Sequence, residues 1–384
     1  ANTVAVSSGT ATFSAELADN IGMGDAVLID TAGTGQAIDA SDTLLFISGR
    51  TSSKVYTLRT ELGAVPSNIS SNDTYSIYRA YTSLSLAEAG TENTSIPISF
   101  TGGNRDLVAN DEQWNLACYG DAVDTAVIIN GWVTGENNYI KIYTPVESAE
   151  VGLSQRHDGK WDSDKYNMER TTTSTYQANI LVNDDHVWID GLQTNIISPT
   201  YSYGVGVAAN DLPAINNEIK ISNNIIKGDT ALRAYGFSSY DVDAVTKIWN
   251  NIIYDFDVPN SYGIASYSGA EGIVYNNTVY NCDTGIGGDS LIIAKNNITQ
   301  NCVNGYTTFD GSSDFNVSDI AGDTTGISDS YRSGSITDVT FIDEANDDFH
   351  LSSSDTTAID AGTDLSADAN FAFTTDIDGH LRTD

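Results

Sequence analysis

A six-residue pattern recurs along the second half of this chain and leaves few folds open to it. It reads Ile-Ser-Asn-Asn-Ile-Ile at 221–226, Ile-Trp-Asn-Asn-Ile-Ile at 248–253, Val-Tyr-Asn-Asn-Thr-Val at 274–279 and Ala-Lys-Asn-Asn-Ile-Thr at 294–299, with a degenerate copy, Val-Trp-Ile-Asp-Gly-Leu, at 187–192. The second Asn falls at Asn224, Asn251, Asn277 and Asn297, in steps of 27, 26 and 20 residues. A glycine before an apolar residue follows each copy: Gly204-Val205, Gly236-Phe237, Gly263-Ile264, Gly285-Ile286 and Gly305-Tyr306. A period of about 20–30 residues built from short apolar stretches marks a solenoid.

One such coil cannot bury its own apolar face, whereas stacked coils can. Strands of neighbouring coils then lie about 4.8 Å apart, so like residues sit above like. Asn tolerates the left-handed backbone of sharp turns, and stacked Asn side chains can bond up a ladder. Gly, lacking a Cβ, suits the other corner. The fold expected is all-β: a right-handed, single-stranded parallel β-helix. Ile225, Ile252 and Ile298 are expected to stack inward, with Thr278 interrupting their row. A leucine-rich repeat would need Leu at fixed positions. A β-sandwich would alternate more strictly.

Cys282 and Cys302 both follow an Asn, 20 residues apart, and so occupy equivalent places on adjacent coils. Two readings stay open: a pair of small buried side chains, or a disulfide between coils. Cys118 is left over, and three cysteines do not make a disulfide framework.

The chain has 384 residues, 52 Asp and Glu against 17 Lys and Arg, and a net charge of −35. That balance excludes nucleic acid and anionic membranes as partners held by charge. It suits a protein in salt water or one that binds calcium. With 40% hydrophobic residues the chain is not disordered. No apolar run is long enough to span a bilayer, so no membrane insertion is expected. The sequence opens on Ala1 without a basic leader, which leads us to expect a mature secreted protein.

Four parts are expected. Residues 1–95 read as β-rich, with strands at Leu44–Ser48, Lys54–Leu58 and Thr74–Arg79. A short helix at Ser83–Gly90 would plug the open end of the solenoid. Within 96–318, Trp114–Tyr119, Ala126–Ile129 and Tyr139–Tyr143 read as three strands of one turn. A charged insertion follows at 148–172, and 181–318 is the regular solenoid. Residues 319–384 are a Ser/Thr/Asp-rich C-terminal section. Residues 1–15 alternate small or apolar with polar side chains and carry no charge. They read as an assembly strand, with Val4, Val6 and Phe13 setting register on its own β-helix or on the next subunit.

Several stretches resemble secreted right-handed β-helix proteins of environmental bacteria, the pectate-lyase-like group. They are 47–57 (Ile-Ser-Gly-Arg-Thr-Ser-Ser-Lys-Val-Tyr-Thr), 78–84 (Tyr-Arg-Ala-Tyr-Thr-Ser-Leu) and 155–161 (Gln-Arg-His-Asp-Gly-Lys-Trp). The C-terminal Asp-Phe-His-Leu (348–351), Ala-Ile-Asp-Ala-Gly (358–362) and Asp-Ile-Asp-Gly (376–379) resemble tails found ahead of sorting anchors in such proteins. The resemblance implies the fold and secretion. It leaves function among polysaccharide lyases, glycoside hydrolases, phage spikes, adhesins and structural proteins.

Lyases on this fold use a calcium ion held by Asp, with Arg or Lys as base, and hydrolases use paired carboxylates. Asp241 and Asp243, near Lys247, with Asp255 and Asp257 in the next coil, are candidates for either; turn residues bonding their own backbone are the plain alternative. Arg156, His157, Asp158 and Lys160 form the densest group able to do acid–base work, with Trp161 to stack a sugar. The plain alternative is a structured loop. Asp184, Asp185 and His186, which precede a strand, are metal-ligand candidates; a solvated turn is the plain alternative. Asp376 and Asp378 join Asp241 and Asp243 as possible calcium ligands. No Ser/His/Asp signature, zinc spacing or phosphate loop is present. The leading functional expectation is a secreted surface or filament-forming subunit, a homo-oligomer or polymer. An extracellular polysaccharide-active enzyme and a carbohydrate-binding spike or adhesin are the alternatives.

Overall fold

The computed structural model describes residues 2–31, 42–100, 105–201, 203–210, 217–240, 244–289, 292–320, 323 and 338–382. It divides into two compact units. The first holds Ala1–Asn104, Leu116–Ala122 and Tyr143–Arg156; the second holds Arg105–Asn115, Val123–Ile142 and His157–Asp384.

The first unit is built on a closed antiparallel barrel of six strands: β1 (Thr3–Ser7), β2 (Thr10–Phe13), β3 (Asp25–Ile29), β4 (Thr43–Ser52), β5 (Val55–Arg59) and β6 (Ile69–Arg79), in ring order β1-β2-β5-β4-β3-β6. Ser8 and Gly9, both at positive φ, make the two-residue turn between β1 and β2 that matches strand twist. Alternation along the strands sends Val4, Val6, Ala11, Phe13, Val27, Ile29, Leu45, Ile47, Tyr56 and Leu58 into one core. This corrects the reading of residues 1–15 as an assembly strand. β1 pairs with β2 on one edge (Val4 opposite Phe13) and with β6 on the other (Thr3 opposite Thr74). Both edges are taken inside the barrel, and Val4, Val6 and Phe13 are buried there. The short helix, Leu84–Glu88, is capped by Ser83 and also belongs to this unit.

The second unit is a parallel β-helix of three seven-stranded sheets. The first sheet runs Asn167–Thr171, Gln193–Ser198, Ile225–Thr230, Ile252–Phe256, Thr278–Cys282, Ile298–Gln300 and Val317–Ser318. The second runs Val127–Ile129, Gln177–Val182, Gly204–Ala209, Ala234–Ser239, Tyr262–Ser266, Thr284–Gly288 and Asn304–Tyr306. The third ends with Val187–Asp190, Asn217–Ser222, Ala244–Trp249, Glu271–Tyr275 and Ile292–Lys295, after Trp114–Ala117 and Ile140–Tyr143. Those two early strands are thus successive rungs of one sheet, while Val127–Ile129 lies in another; they are not three strands of one turn. The charged insertion is also shorter than expected. Asn167–Thr171 already pairs with Gln193–Ser198, and Met168 is fully buried.

The two halves of each Asn-Asn pair do different work. Asn223, Asn250, Asn276 and Asn296 hold positive φ and turn the chain. Asn224, Asn251, Asn277 and Asn297 are buried in one column; the side-chain oxygens of the last three accept from the backbone N–H of the Asn one coil earlier, and that of Asn224 accepts from the Leu192 N–H. The column runs on to Asn316, which carries no Asn-Asn signature.

The glycine column is not a corner. Gly206, Gly236, Gly263, Gly285 and Gly305 lie within strands of the second sheet, so Gly206, not Gly204, is the first member. A Cβ on Gly236 would stand 2.5 Å from Ile253 Cγ2 and 2.6 Å from the Gly263 carbonyl oxygen. Close approach across the interior demands glycine here, not a special φ.

The same contacts fix which row points inward. Ile226, Ile253, Val279 and Thr299, all fully buried, face the glycines. Ile225, Ile252, Thr278 and Ile298 stack in register but on the outer face, contrary to expectation. Ile225 and Ile252 are buried there because Val339, Phe341 and Phe349 of the C-terminal segment pack over them. Further on, Leu365, Phe371 and Phe373 cover Trp249, Ile273 and Tyr275 on the third sheet. The C-terminal segment is a belt over two of the three outer faces. All three cysteines are buried free thiols, so the inter-coil disulfide is not formed.

Candidate functional site

Of the expected catalytic residues, Arg156, His157 and Asp255 make side-chain hydrogen bonds within the fold. Arg156 falls in the first unit, where its Nε donates to Thr144 Oγ1. His157 is buried in the second; its Nε2 meets the Asn223 carbonyl oxygen at 2.9 Å, and its Nδ1 accepts from the Gly159 amide. Asp158 is exposed, and Lys160 is half-buried. Trp161 packs on the belt-covered cluster with the Lys227 ammonium 3.8 Å from its ring centre.

Asp255, at positive φ, accepts from Asn281, which in turn accepts from Asn301. It is the first rung of a second turn ladder. Burial raises its carboxyl above the usual range, and Asp347, Asp257 and Lys227 lie within electrostatic reach. Asp257 itself is exposed. Lys247 pairs with Glu218, and Asp241 and Asp243 lie outside the described residues. Asp184 accepts from the amides of Gly131 and Trp132, and Asp185 bonds Thr134 and His186; these three residues brace a loop.

At the C-terminal end, Asp376, Asp378 and His380 can each bring one donor atom within 4.8 Å of the others. Asp376 already accepts from the amides of Asp378 and His380, and Asp378 Oδ2 lies 3.2 Å from His350 Nε2. Calcium takes oxygen donors, so of these three side chains it would use the two carboxylates.

The outer face of the second sheet is different in kind. Its hydrophobic cluster holds Ala178, Val205, Ala208, Tyr235, Ala265, Leu181, Tyr203, Tyr262 and Tyr267, and no described belt residue. Parallel register builds columns across the coils. Tyr176, Tyr203 and Arg233 precede three successive strands, and Tyr235 and Tyr262 follow in register two positions on. Tyr240 and Tyr267 follow the far ends of two strands, in line with Asn183 and Asn210. The rings of Tyr176 and Tyr203 stack at 4.4 Å, Tyr203 and Tyr235 at 6.2 Å, and Tyr235 and Tyr262 at 5.8 Å. Tyr240 and Tyr267 stack at 4.8 Å, and both meet Tyr235 edge-on. Between these columns the sheet presents Ala208, Ser238 and Ala265, small enough for the rings to lie over them.

Tyr176 is 70% exposed and Tyr240 38%, so the platform is wet at its ends and dry at Tyr235. Burial raises the Tyr235, Tyr240 and Tyr267 hydroxyls, keeping them protonated and able to donate. Burial would lower the Arg233 guanidinium, but the surrounding tyrosine hydroxyls outweigh it. The side-chain oxygens of Asn183 and Asn210 are out of water without a hydrogen-bond partner. Flat rings flanked by hydroxyls and by the two open Asn acceptors suit a ligand with apolar faces and hydroxyl edges. The sequence carried a signal for this face that went unread: Tyr203-Gly204, Tyr235-Gly236 and Tyr262-Gly263 place a Tyr before a glycine in three successive coils.

Fold and face together define a parallel β-helix with one tyrosine-paved side. No family model, no curated protein and no solved structure matches the chain.

Proposed function

We propose that this chain is a secreted or cell-surface glycan-binding protein that holds extracellular polysaccharide on the tyrosine face of its second sheet. The stacked column Tyr176–Tyr203–Tyr235–Tyr262 carries this reading. Sugar rings expose C–H faces that pack on aromatic rings, while their hydroxyls need partners such as Asn183, Asn210 and the tyrosine hydroxyls. A rigid sheet holds its rings in place before the ligand arrives, so little ordering entropy is lost on binding. Face and belt are complementary: the solenoid's other two outer faces carry C-terminal apolar residues.

Calorimetric titration with a panel of neutral oligosaccharides tests the reading. Saturable binding that is weakened in Tyr176→Ala supports it. No heat from any sugar, with the protein folded, overturns it.

A further inference from the structure

Cations are scarce in this chain, 17 against 52 acidic residues, and those on the solenoid's outer faces are typically matched to carboxylates. Lys141 pairs with Asp190, Lys220 and Lys247 with Glu218, and Lys295 with Asp368. Among the described residues, Arg233 makes no ion pair. Its guanidinium carbon lies 4.9 Å from the Tyr203 ring centre and 5.2 Å from that of Tyr235. Its Nη1 reaches the Tyr203 hydroxyl at 3.4 Å, and its Nε is out of water with no acceptor. A guanidinium fixed between rings, with no carboxylate paired to it among the described residues, offers a charge-assisted site.

The overall charge of −35 sets the second constraint. A densely charged polyanion is repelled by the whole molecule before it reaches the face. One oxyanion on an otherwise uncharged sugar chain meets little of that repulsion. Screening confines its interaction to about 10 Å at 0.1 M salt, so the charges nearest the face, the Arg233 guanidinium among them, count most.

Resting on the glycan reading above, we propose that Arg233 selects glycans that are largely neutral and carry isolated oxyanions, a uronate carboxylate or a sulfate ester. The sugar rings lie on the tyrosines, and the oxyanion accepts hydrogen bonds from the guanidinium.

The test is calorimetry on the full chain with four probes of equal length. They are a neutral xylo-oligosaccharide, the same chain with one glucuronosyl branch, the same chain with one sulfate ester, and an oligogalacturonate. The expected result is that a singly charged probe binds about tenfold tighter than the neutral one, with oligogalacturonate weaker than that probe. Whichever singly charged arm gains affinity identifies the oxyanion. Arg233→Gln should reduce that probe's affinity to the neutral probe's level. Arg233→Lys, which keeps the charge but not the fork, should retain part of the gain; melting curves confirm that both variants fold. Equal affinity of the wild type for neutral and singly charged probes overturns the proposal and leaves glycan binding standing. Tightest binding of oligogalacturonate also overturns it. Failure of all four probes to bind overturns the glycan reading itself.

Discussion

Asn251 Oδ1 accepts two hydrogen bonds from Asn224, one from its backbone N–H at 2.9 Å and one from its Nδ2 at 3.0 Å. Asn251 gives the same pair on to Asn277, and its own Nδ2 also reaches the carbonyl oxygens of Ile221 and Trp249. One buried amide thus serves the turn of its own coil and both neighbouring coils. Aspartate offers the acceptors but no donors, and serine is too short.

Asn251→Ala should therefore be far more damaging than its size change suggests. It leaves the buried Asn224 backbone N–H without its acceptor, at about 1–3 kcal/mol, and removes one donor each from the Ile221 and Trp249 carbonyl oxygens. A loss of several kcal/mol is expected, against less for Asn316→Ala at the end of the column. Chemical denaturation followed by circular dichroism measures both. Equal small losses would show that water replaces the ladder without cost.

Gly236→Ala probes the interior. The new methyl would meet Ile253 and the Gly263 carbonyl oxygen inside contact distance. The backbone side of that clash cannot rotate away, so a cost of about 1–3 kcal/mol or more is expected. Gly204→Ala is the control, because its nearest neighbours are side-chain atoms of Ile196 and Ser198 at 3.1 Å. It should cost clearly less in the same unfolding assay.

These two sites show what the sequence made legible. Like stacks on like in a solenoid, so the Asn and Gly periods gave the coil register directly. The face each row shows does not follow from period alone. Ile225 and Ile226 are equally apolar, and only the outer one is covered by Phe341 and Phe349, more than a hundred residues later. The belt was hidden for the same reason: its apolar residues are sparse among Ser, Thr and Asp. The strand at Val4 and Val6 reads alike whether its partner edge is in the same barrel, the solenoid or another molecule. The tyrosine face was missed because reading for chemistry favoured charged side chains, while its signal lay in Tyr-Gly pairs inside the repeat.

The belt should loosen in alkali. His350 Nδ1 lies 2.6 Å from Asp348 Oδ1, and its Nε2 faces Asp378, joining a strand of the belt to its last turn. The Asp378 carboxylate, against burial and with help from Asp348, raises the imidazole from 6.5 to about 9. A raised folded-state pKa stabilises fully below the unfolded value and is lost as pH climbs through the folded one. Amide exchange at 348–351 and 376–380 should thus accelerate between about pH 6.5 and 9 beyond its intrinsic base-catalysed rise, and level off above that window. His350→Gln should lack that step. A step that survives the substitution would place the titration elsewhere.

The tyrosine face predicts a split between binding and stability within one column. Tyr176 is exposed and stacks on Tyr203 only from outside, whereas Tyr235 is buried beneath four other rings. Tyr176→Ala should leave the melting temperature nearly unchanged, since exposed substitutions away from special features shift stability little. It should weaken glycan binding by about tenfold, the scale of one lost stacking contact with its flanking hydrogen bond. Tyr235→Ala removes a large core side chain and should destabilise the second unit by about 3–5 kcal/mol. Its binding loss should then shrink as temperature is lowered, because the collapsed face is the cause. Tyr240→Phe separates the hydroxyl from the ring: stacking on Tyr267 is kept while one donor is removed. Titration calorimetry and melting curves on the three variants give six numbers. If Tyr176→Ala binds sugars as the wild type does, the exposed end of the column is not where they lie.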